Sequence, residues 1–89
     1  MSTRRSSFQI AVDVLTVIGK GEERPTRIMY ASNLSWNSLK GTLDTLVGKG
    51  YVDEMFMNQK QKRYTISSKG RDVLSYYSQL ETLVQVSVD

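Results

Sequence analysis

The sequence predicts a mainly α fold with a small β-hairpin (α+β), and three observations carry that prediction. Leu39, Leu43, Leu46 and Val47 recur at helical spacing. Ser35, directly after Leu34, supplies a hydroxyl where that helix would open. Two short alternating runs, one from Tyr51-Val52 and one through Tyr64-Thr65-Ile66, flank the polar loop Asn58-Gln59-Lys60-Gln61-Lys62 as the strands of a hairpin would.

In chain order, Met1 to Arg5 reads as a polar, basic tail in which Arg4 and Arg5 are either a flexible arm or a plain soluble terminus. The first helix is expected over 6–20, capped by Ser6 or Ser7, with Phe8, Ala11, Val12, Leu15 and Ile18 on its apolar face and Gly19 and Gly21 at its end. Pro25-Thr26 opens a short second helix, 25–32, with Ile28 and Ala31 inward. The third helix, 35–48, places Leu39, Leu43 and Leu46 on one face and Asn37, Gly41, Thr45 and Gly48 opposite. Ser38, Lys40, Thr42 and Asp44 fall at the margins, and Trp36 on the core side. The hairpin spans 51–66. A first strand between Glu23 and Thr26 is not evident. Ser67 or Ser68 then caps a last helix, 68–86, in which Val73, Tyr76 or Tyr77, Leu80, and Leu83 or Val84 follow spacings close to a heptad seam.

Helix, turn at Asn33-Leu34, helix and basic-tipped hairpin is the order of a winged helix-turn-helix with a long C-terminal helix. Eighty-nine residues suffice for one domain, 1–89, and its core is small enough that an apolar helix reaching beyond it calls for a second subunit. The formal charge of +3 would suit many soluble proteins, so placement decides. Lys60, Lys62, Arg63, Lys69 and Arg71 follow one another with no acid before Asp72, which favours an anionic partner.

Composition argues against an enzyme. With no cysteine and no histidine, disulfides, thiolate metal sites and histidine-based triads are excluded. Asp13, Glu22, Glu23, Asp44, Asp53 and Glu54 lie on separate elements with no evident pairing. No cofactor or small-molecule ligand is indicated. The apolar run from Phe8 to Ile18 contains Gln9 and Asp13 and is too short to span a bilayer; reading it as a signal peptide would remove the first helix, so no membrane association is expected and the cytoplasm, with the nucleoid, is the expected location.

The stretches Thr26-Arg27-Ile28-Met29-Tyr30-Ala31-Ser32-Asn33-Leu34-Ser35, then Leu39 and Leu43 through Gly50-Tyr51-Val52, and finally Tyr64-Thr65-Ile66-Ser67-Ser68-Lys69-Gly70 carry a family resemblance. The chain resembles the small archaeal winged-helix DNA-binding proteins whose C-terminal helix pairs in an antiparallel coiled coil, a group of transcriptional regulators and chromatin-associated proteins with similar domains in archaeal viruses. The Thr-Arg-Ile-Met run is moderately specific, whereas the Tyr-x-Ile-Ser-x-Lys-Gly ending is common to many winged helices. Gly41 and Gly48 depart from the pattern, each costing about 1 kcal/mol against alanine in a helix interior.

The expected function is a homodimeric, sequence-preferring regulator of transcription on double-stranded DNA. Ser35, Asn37, Ser38, Lys40, Gly41, Thr42 and Thr45 would face the major groove, with Asn37 able to pair with adenine and Gly41 allowing close approach. Arg27, Lys49, Lys60, Lys62 and Arg63 would hold phosphates, Arg24 more weakly beside Glu22 and Glu23. Val73, Tyr76, Tyr77, Leu80, Leu83 and Val84 would form the dimer seam, setting the two third helices about 34 Å apart. The alternatives are an architectural chromatin protein of weak sequence preference and a winged-helix protein-interaction module.

Overall fold

A serine hydroxyl opens three of the four helices. The computed structural model describes residues 5–88, in the order α1 (Ser7–Gly19), α2 (Pro25–Ser32), α3 (Trp36–Gly48), β1 (Val52–Phe56), β2 (Lys62–Ile66) and α4 (Ser68–Val88). Ser6 Oγ accepts from the Gln9 N–H at 3.0 Å, Ser35 Oγ from Ser38 N–H at 3.2 Å, and Ser67 Oγ from Gly70 N–H at 3.0 Å. Each thereby satisfies a donor that the first helical turn leaves free. α2 opens instead on Pro25, whose fixed φ suits the first helical position.

α1 is the central helix, packed against α2, α3, α4 and β2. Burial on several sides explains why Val14, absent from the expected apolar face, is fully buried beside Val12, Leu15 and Ile18. Phe8 corrects the expectation in the other direction. It is 64% exposed at the helix start, its ring tilted against Tyr77 of α4 at 5.7 Å. Leu39, Leu43 and Leu46 bury the inner side of α3, and Ile28, Val52 and Tyr64 close the core. Ala31 is exposed, a second correction: on a two-turn helix the strip facing α1 is narrow, and Ile28 and Ser32 fill it.

The strands pair antiparallel, Val52 opposite Ile66 and Phe56 opposite Lys62. Among the described residues no third strand forms, but Tyr64 N–H donates to the Glu23 carbonyl at 2.9 Å, a single rung where an extra strand would lie. The Tyr64 hydroxyl donates to Glu54 at 2.9 Å. Burial, then that bond and the adjoining carboxylate charge, push its ionisation well above the ordinary tyrosine range. Gly50, at φ 80°, turns the chain out of α3 into β1.

Arg5 overturns the picture of a loose arm. Its guanidinium meets Asp13 at 2.9 Å and donates to the Ser32 and Asn33 carbonyls, each at 3.0 Å. Those carbonyls end α2, where the helix dipole is negative, so the cation pins α1 to the turn that aims α3. Arg4 lies outside the described residues. Arg5→Ala is expected to cost about 1–2 kcal/mol in urea unfolding, the range for part-buried charge-assisted bonds, and Arg5→Lys to recover only part of it because an ammonium lacks the planar fork.

Candidate nucleic-acid interface

The tight turn between α2 and α3 positions the site. Asn33 adopts the left-handed conformation (φ 56°, ψ 50°), which its short polar side chain tolerates. Leu34 N–H reaches back to the Met29 carbonyl at 3.2 Å, and Ser35 opens α3 directly afterwards. With the leucines of α3 inside, Asn37, Ser38, Gly41 and Thr45 stand exposed on its outer side, and Thr42 is half-buried. These five line a shallow groove of about 370 Å³ together with the start of α1 at Ser7, Ile10 and Ala11. Ser35 is committed to its cap. The Thr42 hydroxyl donates to the Ser38 carbonyl at 2.9 Å and that of Thr45 to Gly41 at 3.1 Å, leaving their lone pairs outward as acceptors.

A second groove, about 460 Å³, lies between the N-terminal ends of α2 and α3 and the hairpin. Arg24, Lys60, Lys62 and Arg63 line it with Trp36, Gln61, Pro25 and Thr26, and no carboxylate does so among the described residues. The hairpin tip is held by Asn58, whose Oδ1 accepts from the N–H groups of Lys60 at 2.8 Å and Gln61 at 3.0 Å. Lys62 is the least free of these cations, 3.4 Å from Glu54 and 5.2 Å from the centre of the Phe56 ring. Lys40 borders an adjoining cleft with Trp36, Asp44 and the hairpin, facing the hairpin rather than α1. Arg27 is exposed on the first turn of α2.

Lys49 stands apart. It caps the far end of α3, where its carbonyl accepts from Lys69 Nζ at 2.9 Å, and the Lys69 ammonium lies 5.2 Å from the centre of the Tyr51 ring. The structure therefore sets the α3 ridge against the start of α1, gathers Trp36, Arg24 and the hairpin cations in a separate groove at the N-terminal end of α3, and leaves Lys49 at the opposite end of the helix.

Trp36 is the residue that sequence reasoning misplaced. Expected on the core side, it is 48% exposed. Helical side chains lean toward the N-terminus, and in the first turn no earlier turn lies beneath them, so the indole projects off the end of α3 toward Pro25 and the hairpin. Its place at N1, directly after the cap, was the signal available.

The model of the family described as winged helix-turn-helix matches residues 4–85. The chain belongs to the winged helix-turn-helix family. In the terms of that fold, the hairpin from β1 to β2 is the wing and α3 the second helix of the helix-turn-helix. Two archaeal relatives are similar across 93% of the chain. The uncharacterised protein MJ0287 of Methanocaldococcus jannaschii is 30% identical over 83 residues, 77% of its own length. MJ0290 of the same organism is 26% identical, the match spanning 37% of its length. Among solved structures, Sso10a-2, a DNA-binding protein from Sulfolobus solfataricus, superposes with a TM-score of 0.77 at 20% identity, covering 94% of this chain and 86% of that one. The smu.1704 protein of Streptococcus mutans gives 0.82 at 18% identity over 100% and 91% of the two chains. Streptococcus pneumoniae FabT, solved in complex with DNA, gives 0.71 at 17% identity over 88% and 57%. At these identities the structural likenesses establish the winged-helix fold, and the archaeal kinship of the sequence agrees with the resemblance drawn from its motifs.

Gly41 permits a test of the ridge. A Cβ there meets nothing within 4 Å, so Gly41→Ala is expected to stabilise α3 by about 1 kcal/mol, seen as a higher urea midpoint. If the ridge lies against a duplex, the same methyl lowers duplex affinity.

Proposed function

We propose that this winged-helix chain is a sequence-preferring regulator of transcription that binds double-stranded DNA as a homodimer. The observation that carries the reading is the exposed polar ridge of α3 together with a groove lined by four cations at the N-terminal end of the same helix. Asn37 and Ser38, near the positive end of the α3 dipole, reach base edges or phosphates; Gly41, Thr42 and Thr45 lie along the groove floor. Arg27, Lys60 and Arg63 hold phosphates on either side, with Lys40 between the ridge and the wing. Lys62 contributes less because Glu54 already neutralises part of its charge. Lys49 serves only a strand reaching the far end of α3.

The dimer seam draws on α4. Tyr76, Leu80 and Leu83 are exposed at 66%, 45% and 65%, more apolar surface than a lone helix extending from a small core would present. Val73 is half-buried against the core of its own chain, with Leu74 beside it, and Tyr77 packs on α1. The seam therefore rests on Tyr76, Leu80 and Leu83; the side chain of Val84 lies outside the described residues. Among the described residues no helix is long and apolar enough to cross a membrane, and the reading places the protein in the cytoplasm, on the nucleoid.

One observation favours the architectural reading as the second. The hydroxyl protons of Thr42 and Thr45 are spent on their own helix, which leaves fewer donors for reading bases. Selection of bound duplexes from a random pool, with the mass of the protein measured in solution, separates the two. A dimer that prefers its selected site over random duplex by about a thousandfold or more supports the regulator; equal competition at physiological salt replaces it with the architectural protein. No duplex binding at low salt refutes both and leaves a protein-interaction module.

A further inference from the structure

We infer that the groove between the wing and the start of α3 receives an unstacked nucleotide, so that duplex ends carrying single-stranded extensions bind more tightly than blunt ones. This rests on the proposed DNA reading only for the identity of the polymer. The groove combines two features that one ligand class explains together. Arg24, Lys60, Lys62 and Arg63 supply positive charge from both walls, and the indole of Trp36 presents apolar surface between them. An anion alone would use the cations and gain nothing from an exposed indole. A base within a duplex offers only its edge to a groove, because its faces are covered by neighbouring pairs. An unpaired nucleotide offers both a free aromatic face and an attached phosphate, the pairing of stacking platform and basic channel by which single strands are held.

The space agrees. A volume of about 460 Å³ is far more than a phosphate group occupies and falls in the range of sites that enclose a small organic ligand. Gln61 and Thr26 on the rim supply hydrogen-bonding groups for the edges of a stacked base without favouring one base over another. The groove adjoins the cleft bordered by Lys40 and Asp44, Pro25, Trp36, Lys60 and Lys62 being common to both, so the indole is reached from two directions.

Trp36 is the chain's one tryptophan, and its emission therefore reports this groove alone. The full chain is titrated at low salt with a blunt duplex and with the same duplex bearing short oligothymidine extensions, following both anisotropy and tryptophan emission. The extended duplex is expected to bind about tenfold more tightly, the effect of roughly one stacked base, and to quench the emission further than the blunt one. In Trp36→Ala the ratio of the two affinities falls to about one, while Trp36→Phe, which keeps a stacking ring, retains most of it. Circular dichroism melting establishes that both variants are folded. Equal affinity of the native protein for the two duplexes overturns the inference and leaves the proposed function standing. Binding to neither duplex overturns both.

Discussion

Gly70→Ala is expected to destabilise the protein by about 2–4 kcal/mol, the range for a forced overlap in a packed interior. A Cβ at this position would run into the carbonyl oxygen of Tyr51 and lie 2.8 Å from Ile66 Cγ1. The carbonyl cannot move freely. The Tyr51 carbonyl accepts from Ser67 N–H at 3.0 Å, and Ser67 also donates its hydroxyl to the Gly50 carbonyl at 2.6 Å while capping Gly70 N–H. The junction of β2 with α4 is thus tied to the exit of α3 by two hydrogen bonds from one serine, which also caps α4. Urea unfolding followed by circular dichroism measures the loss, and Gly41→Ala, on open surface, is the control expected to move the midpoint the other way. A Gly70→Ala protein as stable as the parent would show that α4 can shift outward on the strands without cost.

Replacing Lys60 and Arg63 together with alanine is expected to lower duplex affinity by about 10–100-fold at moderate salt, alike for selected and random sequences. The slope of log affinity against log salt should flatten by about two, one for each phosphate contact removed. Lys62→Ala should do less than either, since its ammonium is already 3.4 Å from Glu54. This ordering tests the geometry as well as the charge, because composition alone ranks the three cations equally. Unchanged affinity and slope in the double variant would remove the wing from DNA binding and leave α3 to act without it.

The contrast between the two glycines illustrates how much of the molecule was legible. The Tyr-x-Ile-Ser-x-Lys-Gly run marked the end of the hairpin and the start of α4, and Ser67 was one of two caps it allowed. Why a glycine stands at its end was not readable, because the obstacle is a backbone carbonyl 19 positions earlier, at Tyr51. In the same way the helix starts at Ser6 and Ser35 were legible, since a cap acts within one turn. The pin from Arg5 to Ser32 and Asn33 joins residues 27 and 28 positions apart, and no local pattern announces it.

The candidate site divides along the same line. Its polar ridge followed from the spacing of Leu39, Leu43 and Leu46, because burying one side of a helix exposes the other. The basic run at the wing was equally visible. What escaped was the meeting of Trp36 with Arg24 and the wing cations, which requires the hairpin to fold back over the start of α2 through the bond from Tyr64 to the Glu23 carbonyl.

By itself, then, the amino-acid order determined the fold class, the element boundaries to within a residue or two, and the outward side of α3, all of which depend on periodicity and capping over a few residues. Only the tertiary structure decided that Arg5 is pinned, that Val73 and Tyr77 serve their own chain, and that Trp36 faces a cationic groove. Those outcomes depend on which surfaces the packed helices leave uncovered, a property of distances in space that separation along the chain does not encode.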